Sequence, residues 1–261
     1  MLLSGKTALV YGAGGSVGSV VARAFAREGA GVVLAGRTRA KLQETAERVR
    51  ADGGKAEVEP VDALDETAVP SHFDRVVNAH GRVDVMFNAI SWGHTQGTAL
   101  IDSPYNFYAD HVHNALKTWF LTGTAAARHM AANGGGVILG ITAFVGRFPV
   151  AMLGGFGVAC IAVETFLRQL GIENGPAGVR CAWVRSAGSS DAPGVVEAMK
   201  LRAKESGRTL EAVHAEMAQT AALKRMPLLA EIADAAVMLA SDYSRSMTAT
   251  CANATCGAHV E

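Results

Sequence analysis

The chain has 261 residues, 49% of them apolar and only 18% charged, with 24 Lys+Arg balanced by 24 Asp+Glu. This balance excludes a disordered chain, and with no Lys/Arg run there is no phosphate-neutralising face, so no nucleic acid is expected as partner. The length suits one α/β domain with a large buried core.

Short β-branched runs alternate with longer helical patterns. Residues 7–11 predict a strand, and 16–28 a helix stopped by Gly29. A second strand follows at 31–35, then a helix at 39–51 with Thr38 as N-cap and Gly53 and Gly54 as its stop. Residues 56–61 predict a third strand, 66–80 a helix with Pro70 near its first turn and Gly81 after its end, and 83–87 a fourth strand. The run Asp102-Ser103-Pro104 starts a long helix over 105–132. A fifth strand is predicted at 136–141, a helix at 154–174 and a sixth strand at 179–184. Helical pieces at 194–206, 209–221 and 230–241 precede a last strand at 249–255. Seven strands joined by helices of crossover length predict a parallel sheet covered on both faces, a single-domain doubly wound Rossmann fold over 1–261.

The longest uncharged stretch, 148–163, lies between Arg147 and Glu164, and Pro149, Gly154, Gly155 and Gly157 interrupt it. It is too short to span a bilayer, so no membrane association is expected. Residues 1–6 lack the parts of a signal peptide. Cys160, Cys181, Cys251 and Cys256 are scattered, with no His at ligand spacing. They predict reduced thiols in a cytoplasmic protein and no metal site.

The first strand runs into Tyr11-Gly12-Ala13-Gly14-Gly15-Ser16-Val17-Gly18 and then a helix. Glycines there permit a tight turn and close backbone approach to a pyrophosphate, and a helix N-terminus offers free N–H groups. The plain alternative is a Gly-rich connection without a ligand. The strand–turn–helix context favours a dinucleotide. After the second strand, Ala35-Gly36-Arg37-Thr38-Arg39 holds no carboxylate for a ribose 2′-hydroxyl. The Arg37 guanidinium suits a 2′-phosphate, which favours NADP(H) over NAD(H). Alternatively Arg37, Arg39 and Lys41 are a solvated helix start.

Asp62 follows the third strand, Asn88-Ala89-Ile90-Ser91 ends the fourth, Asn114 lies in the long helix, and 247–257 closes the chain's strand pattern. With the glycine loop, their order and spacing resemble the short-chain dehydrogenase/reductase family over the whole chain. The family loop reads TGxxxGxG; Gly12 and Gly18 match it, while Tyr11 replaces the Thr and Ser16 the middle Gly. The resemblance implies a nicotinamide cofactor held by Gly12, Gly14, Gly15, Ser16, Val17, Gly18 and Arg37, by Asp62 and Ala63 at the adenine, and by Asn88, Ala89 and Ile90. It also implies a catalytic role for Asn114, with capping of helix backbone as the alternative; a substrate lid over 189–221 in which Ser190 and Asp191 suit a mobile loop, with a plain helical insertion as the alternative; and a homodimer or homotetramer through the helices near 105–132 and 154–174. Ala125, Ala126 and Ala127 would permit close helix approach.

The family's chemistry uses a Ser, a Tyr thirteen residues on and a Lys four further. Here the register gives Ala143, Phe156 and Cys160. Phe cannot donate a proton, and Cys supplies no cation. Replacement acids include Thr142, with a strand-end hydroxyl bonded to backbone as the alternative, and His94, with a solvated loop His as the alternative. Tyr105, Tyr108, His111 and His113 lie at the start of the long helix, and most of them are expected at the surface or an interface. Cys160 reads as a small hydrophobe, and Trp92, Trp119 and Trp183 as core or wall residues. Three functions stand: an atypical NADP(H)-dependent oxidoreductase acting on a small, largely apolar substrate; a silent NADP(H)-binding regulatory protein; and a non-redox lyase, isomerase or cyclase on the same scaffold. The intact loop and Arg37 favour the first two.

Overall fold

Along the first strand, β1 (Thr7–Tyr11), Ala8 and Val10 point one way and Leu9 and Tyr11 the other, and all four are fully buried. A strand alternates sides, so burial of both sets requires cover on both faces. The computed structural model describes residues 1–93 and 97–259 and supplies that cover. Among the described residues, β1, β2 (Gly31–Gly36), β3 (Lys55–Pro60), β4 (Val85–Asn88), β5 (Gly136–Ala143), β6 (Val179–Ser186) and β7 (Thr250–Ala254) form one parallel sheet in the order β3-β2-β1-β4-β5-β6-β7.

One face packs Ala8, Val10, Val32 and Leu34 against α1 (Ser16–Arg27), α2 (Arg39–Ala51) and α8 (Leu229–Ala240), through Val21, Phe25, Leu42, Ile232 and Val237. The other packs Leu9, Val33, Met86, Ile138 and Trp183 against α3 (Ala68–His80), α4 (Tyr105–Ala132) and α5 (Phe156–Asn174), through Phe73, Trp119 and Leu167. The Trp119 ring lies against Gly140 of β5, so closely that a Cβ on that glycine would run into its Cζ2 and Cη2 atoms. The fold is the single-domain Rossmann architecture expected. Chain order reverses at β1, whose Tyr11 pairs with Ala35 of β2 on one side and Asn88 of β4 on the other. The crevice beyond these strand ends is where such sheets bind ligands.

Several element ends differ from expectation for local reasons. The Thr38 side chain caps nothing, although α2 starts after it. Helix α3 starts at Ala68 because the Asp65 carboxylate accepts from the Thr67 and Ala68 amides and holds residues 65–67 in a turn. Helix α5 starts at Phe156 because Met152 (φ 64°) and Gly154 (φ 52°) hold left-handed conformations before it. Strands β5 and β6 each run two residues further than their apolar runs, pairing Thr142 with Arg185 and Ala143 with Ser186.

Ala125, Ala126 and Ala127 are buried within the protomer at 7%, 0% and 3% exposure, so they are not the oligomer surface expected of them. The exposed apolar residues of α4 and α5 include Leu116, Phe120, Val158 and Ile172 instead. Helices α6 (Pro193–Ser206) and α7 (Leu210–Gln219) form a small separate core around Met199, Ala203, Val213 and Met226. Asp191 accepts from the Leu229 amide, which ties the start of this pair to α8. Among the described residues, no helix is long and apolar enough to cross a membrane.

Candidate functional site

The glycine loop closes on itself and on its neighbours. Gly12 and Ala13 donate to the Ala35 carbonyl, Gly15 donates to Gly12, and the Ser19 amide donates to Gly15 as α1 begins. Gly12 has φ 75°, and a Cβ there would stand 2.6 Å from the Ala89 carbonyl group. A Cβ on Gly14 would meet the Lys41 side chain at 2.8 Å, and one on Gly18 would run into the Gly12 carbonyl. The first turn of α1 leaves amide groups without intrahelical acceptors. No side chain caps it and no carboxylate lies in it, so the positive end of the helix at Ser16, Val17 and Gly18 is open to an anion.

The flanks are built from the neighbouring strand ends. Arg37 is exposed immediately after β2. Asp62 is exposed after β3, its Oδ1 accepting from the Leu64 amide, and Ala63 is buried beside it. Asn88 is buried and bonded on both sides: its Nδ2 donates to Thr122 Oγ1 (3.0 Å) and its Oδ1 accepts from the Ile90 amide (3.0 Å). It therefore clamps the end of β4, with Ala89 and Ile90, to α4. Beneath the loop, Tyr11 bonds His72 Nδ1 (3.1 Å), and burial depresses the His72 imidazole to about 4, so this pair is neutral at pH 7.

Ala143, Phe156 and Cys160 converge at the β5–α5 end. Ala143 is the last residue of β5, and the Cys160 thiol lies by its backbone. The Phe156 ring packs on Trp92 (5.9 Å between centroids) and His111 (6.4 Å). Burial pushes the Cys160 and Cys181 thiols up to about 12. At pH 8 only about one such thiol in 10⁴ is ionised. Iodoacetamide at that pH is expected to leave both unlabelled in the native protein, and peptide mass mapping checks this. Prompt labelling of Cys160 would show that its thiol is ionised and reachable.

Thr142 does not bond backbone as expected of a strand end. Its hydroxyl donates to Glu164 (3.0 Å), a fully buried carboxylate on α5. Arg185, also fully buried, grips both oxygens of Glu164 through Nε (3.0 Å) and Nη2 (2.9 Å). Arg147 and Arg168 approach the same carboxylate at 3.5 Å, and Arg168 lies 4.8 Å over the Trp183 ring. Asn114 is half-buried, and its main-chain carbonyl accepts from Thr118 Oγ1 (2.7 Å). Tyr105 is 83% exposed and His113 is exposed, as expected of most of this group, while His111 is its buried exception at 2%. His94 lies outside the described residues.

A family model described as enoyl-(acyl carrier protein) reductase matches residues 12–259, nearly the whole of this arrangement. The chain belongs to the short-chain dehydrogenase/reductase family of oxidoreductases. An uncharacterized oxidoreductase of Mycobacterium tuberculosis is 28% identical to this short-chain dehydrogenase/reductase over 247 residues, covering 94% of this chain and 89% of the relative. The L-rhamnose 1-dehydrogenase (NAD(P)(+)) of Azotobacter vinelandii is 32% identical over 186 residues, covering 69% of this chain and 72% of its own. Among solved structures, carveol dehydrogenase from Mycobacterium avium in complex with NAD has the same fold, with a TM-score of 0.90 at 24% identity over 98% of each chain.

Sequence reasoning missed two features of this short-chain dehydrogenase/reductase. One is the Glu164 cluster, signalled by the charges at 164 and 185 beside apolar runs. The other is the burial of His111, for which the only signal was its place three residues before Asn114 on the same helix face.

Proposed function

We propose that the protein is an NADP(H)-dependent oxidoreductase that moves hydride to or from a small, largely apolar substrate without the family's usual Tyr and Lys acid–base pair. The observation that carries the reading is the crevice beyond β1 and β4. Its glycines at 12, 14 and 18 let the loop close against Ala89, Lys41 and itself where a Cβ would collide, the α1 N-terminus is free of its own carboxylate, and Arg37 borders it where an acidic residue would otherwise read a ribose. Gly12, Gly14, Gly15, Ser16, Val17 and Gly18 would hold the pyrophosphate, and Asp62 and Ala63 the adenine. Asn88, Ala89 and Ile90 would line the far half, and Arg37 would take a 2′-phosphate. The nicotinamide, when bound, supplies the hydride chemistry. The NAD(P)(+) named for the Azotobacter relative and the NAD of the Mycobacterium avium structure support a nicotinamide dinucleotide.

Ala143, Phe156 and Cys160 stand at the family's Ser, Tyr and Lys positions in this reading. A missing general acid costs typically about 10²–10⁴-fold in rate, so generic ketones are poor substrates unless another group donates the proton. Trp92 and Phe156 make the substrate wall apolar. Residues 189–221, which carry the α6–α7 pair, serve as the lid. The buried Cys160 and Cys181 thiols accord with a reducing cytoplasm, and the exposed apolar faces of α4 and α5 with a homodimer or homotetramer.

Fluorescence titration with NADPH, NADP⁺ and NADH tests the reading. NADPH is expected to bind more tightly than NADH, and failure of all three to bind would end it. Arg37→Glu is expected to weaken NADPH about 10–100-fold, the value of hydrogen bonds to a charged group, with NADH little changed. Equal losses for both cofactors would show that Arg37 does not read the phosphate.

A further inference from the structure

We infer that His111 is the group that exchanges a proton with the substrate oxygen in this protein, the role for which Phe156 has no chemistry. The inference rests on the oxidoreductase reading above, but its geometry is independent of the cofactor. His111 is 2% exposed in the second turn of α4. Its Nδ1 lies 2.8 Å from the Phe107 main-chain oxygen. A carbonyl only accepts, so Nδ1 carries the hydrogen and donates it, and Nε2 presents a lone pair. That assignment follows from the bonding, which fixes the ring in one orientation and one tautomer.

Nε2 faces Gly93, an exposed glycine with φ 135° just beyond Trp92. A Cβ on Gly93 would stand 3.4 Å from Nε2, in contact with it. The missing side chain thus leaves a methyl-sized opening onto the Nε2 lone pair of a buried imidazole. Nε2 opens toward Gly93 and not toward a protein donor, so a donor entering from outside can bond it. A substrate hydroxyl entering beside Gly93 is of the right chemistry to do so.

The position relative to the rest of the site is fixed by packing. A Cβ on Gly155 would run into the Tyr108 carbonyl, so the first turns of α4 and the start of α5 are pressed together without a side chain between them. This sets the His111 ring edge-on to Phe156, 6.4 Å between centroids. Of the Trp92 and His111 rings that pack on Phe156, Trp92 can only donate from its indole nitrogen, whereas His111 can both take up and release a proton.

The step balances as follows. In the oxidative direction the O–H proton of a secondary alcohol passes to Nε2, giving an imidazolium. The carbinol C–H bond breaks, its hydrogen leaves as hydride to the oxidised nicotinamide, and the C–O bond becomes C=O. In the reductive direction the imidazolium returns the proton from Nε2 to the carbonyl oxygen as hydride arrives at carbon. Nδ1 keeps its hydrogen and its bond to Phe107 throughout.

Two measurements test this. First, the native protein is treated with diethyl pyrocarbonate, which acylates an unprotonated and reachable imidazole nitrogen, and its histidine peptides are mass-mapped. His111 is expected to be modified despite its burial, and protected when NADPH and cyclohexanone are both present. An unmodified His111, with the exposed His113 labelled in the same sample, overturns the inference. Second, His111→Asn keeps a side-chain N–H for the Phe107 carbonyl and removes Nε2. NADPH affinity is expected to stay within about two-fold. The kcat of the wild-type protein on cyclohexanone, 2-octanone or their alcohols is expected to fall about 10²–10⁴-fold and to recover in part with added imidazole. An unchanged kcat overturns the inference. If the wild type binds NADPH but turns over none of these probes, the mapping alone decides. If NADPH does not bind at all, the oxidoreductase reading fails, and labelling of His111 still reports whether its geometry is as described.

Discussion

Replacing Glu164 by Gln is expected to lower the free energy of unfolding by about 3–5 kcal/mol, the cost of removing one partner from a buried ion pair. Glu164 and Arg185 are both fully buried, and the guanidinium holds the carboxylate by two hydrogen bonds near 3 Å. The amide that replaces the carboxylate carries no charge, so the buried Arg185 guanidinium loses the charge that its Nε and Nη2 grip, where low polarity makes that loss large. Thr142 would lose a charged acceptor as well, because its hydroxyl donates to the same carboxylate. Arg147 sits at the exposed end of the cluster, 3.5 Å from Glu164, with its side chain 42% exposed. Arg147→Ala is therefore expected to cost no more than about 1 kcal/mol, as exposed ion pairs do. The double variant Glu164→Leu with Arg185→Met should recover much of the loss, since an apolar pair needs no desolvation of charge. Urea unfolding of the four proteins checks the series. A Glu164→Gln loss no larger than that of Arg147→Ala would show that solvent reaches the pair.

Gly12→Ala is the second change of large effect, and it should act on ligand binding more than on the fold. At φ 75° an alanine costs about 1–2 kcal/mol in backbone strain alone. Its Cβ would also stand 2.6 Å from the Ala89 carbonyl carbon and oxygen and 2.9 Å from the Ile90 nitrogen, so the end of β4 has to move, at about 1–3 kcal/mol. The two together are equivalent to roughly 30-fold or more in NADPH affinity if the displaced loop must be restored on binding. Gly207 is the internal comparison. It also has a positive φ, 64°, but a Cβ there meets nothing within 4 Å. Gly207→Ala should therefore show the backbone cost in thermal unfolding and leave NADPH affinity alone. Equal affinities for the wild type and Gly12→Ala would mean that the loop is not where the dinucleotide lies.

The fold was legible because its signals are local. The helix over Arg39–Ala51 and the long helix over Tyr105–Ala132 have the bounds expected from Gly53 and Gly54 and from Pro104, and β1 has those of its apolar run. What escaped was decided by partners distant in the chain. Thr142 and Arg185 look like the polar ends of strands, but each continues its strand because the other pairs with it and Glu164 receives both. Three consecutive alanines point in three directions around a helix, so Ala125, Ala126 and Ala127 could not say which of them faced out. None does, because α4 is covered on several sides. The glycine loop was readable for the same local reason as the helices, since a turn needs its glycines in sequence. The cluster of Trp92, His111 and Phe156 was not, because its members come from three separate segments and meet only after folding.

The packing of Trp119 against Gly140 has a consequence for how this sequence can change over generations. Neither position can drift alone. Gly140→Ala drives a methyl group into the indole while Trp119 is present, and even beside a smaller ring its Cβ would stand 2.9 Å from the Asn88 carbonyl oxygen, so β4 would have to shift as well. A smaller residue at 119, arriving first, opens a void above the sheet that typically costs about 3–5 kcal/mol. Gly140 is therefore held from two sides, by the indole above it and the β4 carbonyl beside it, and a single substitution at either member of the pair lowers stability before any second change can restore it.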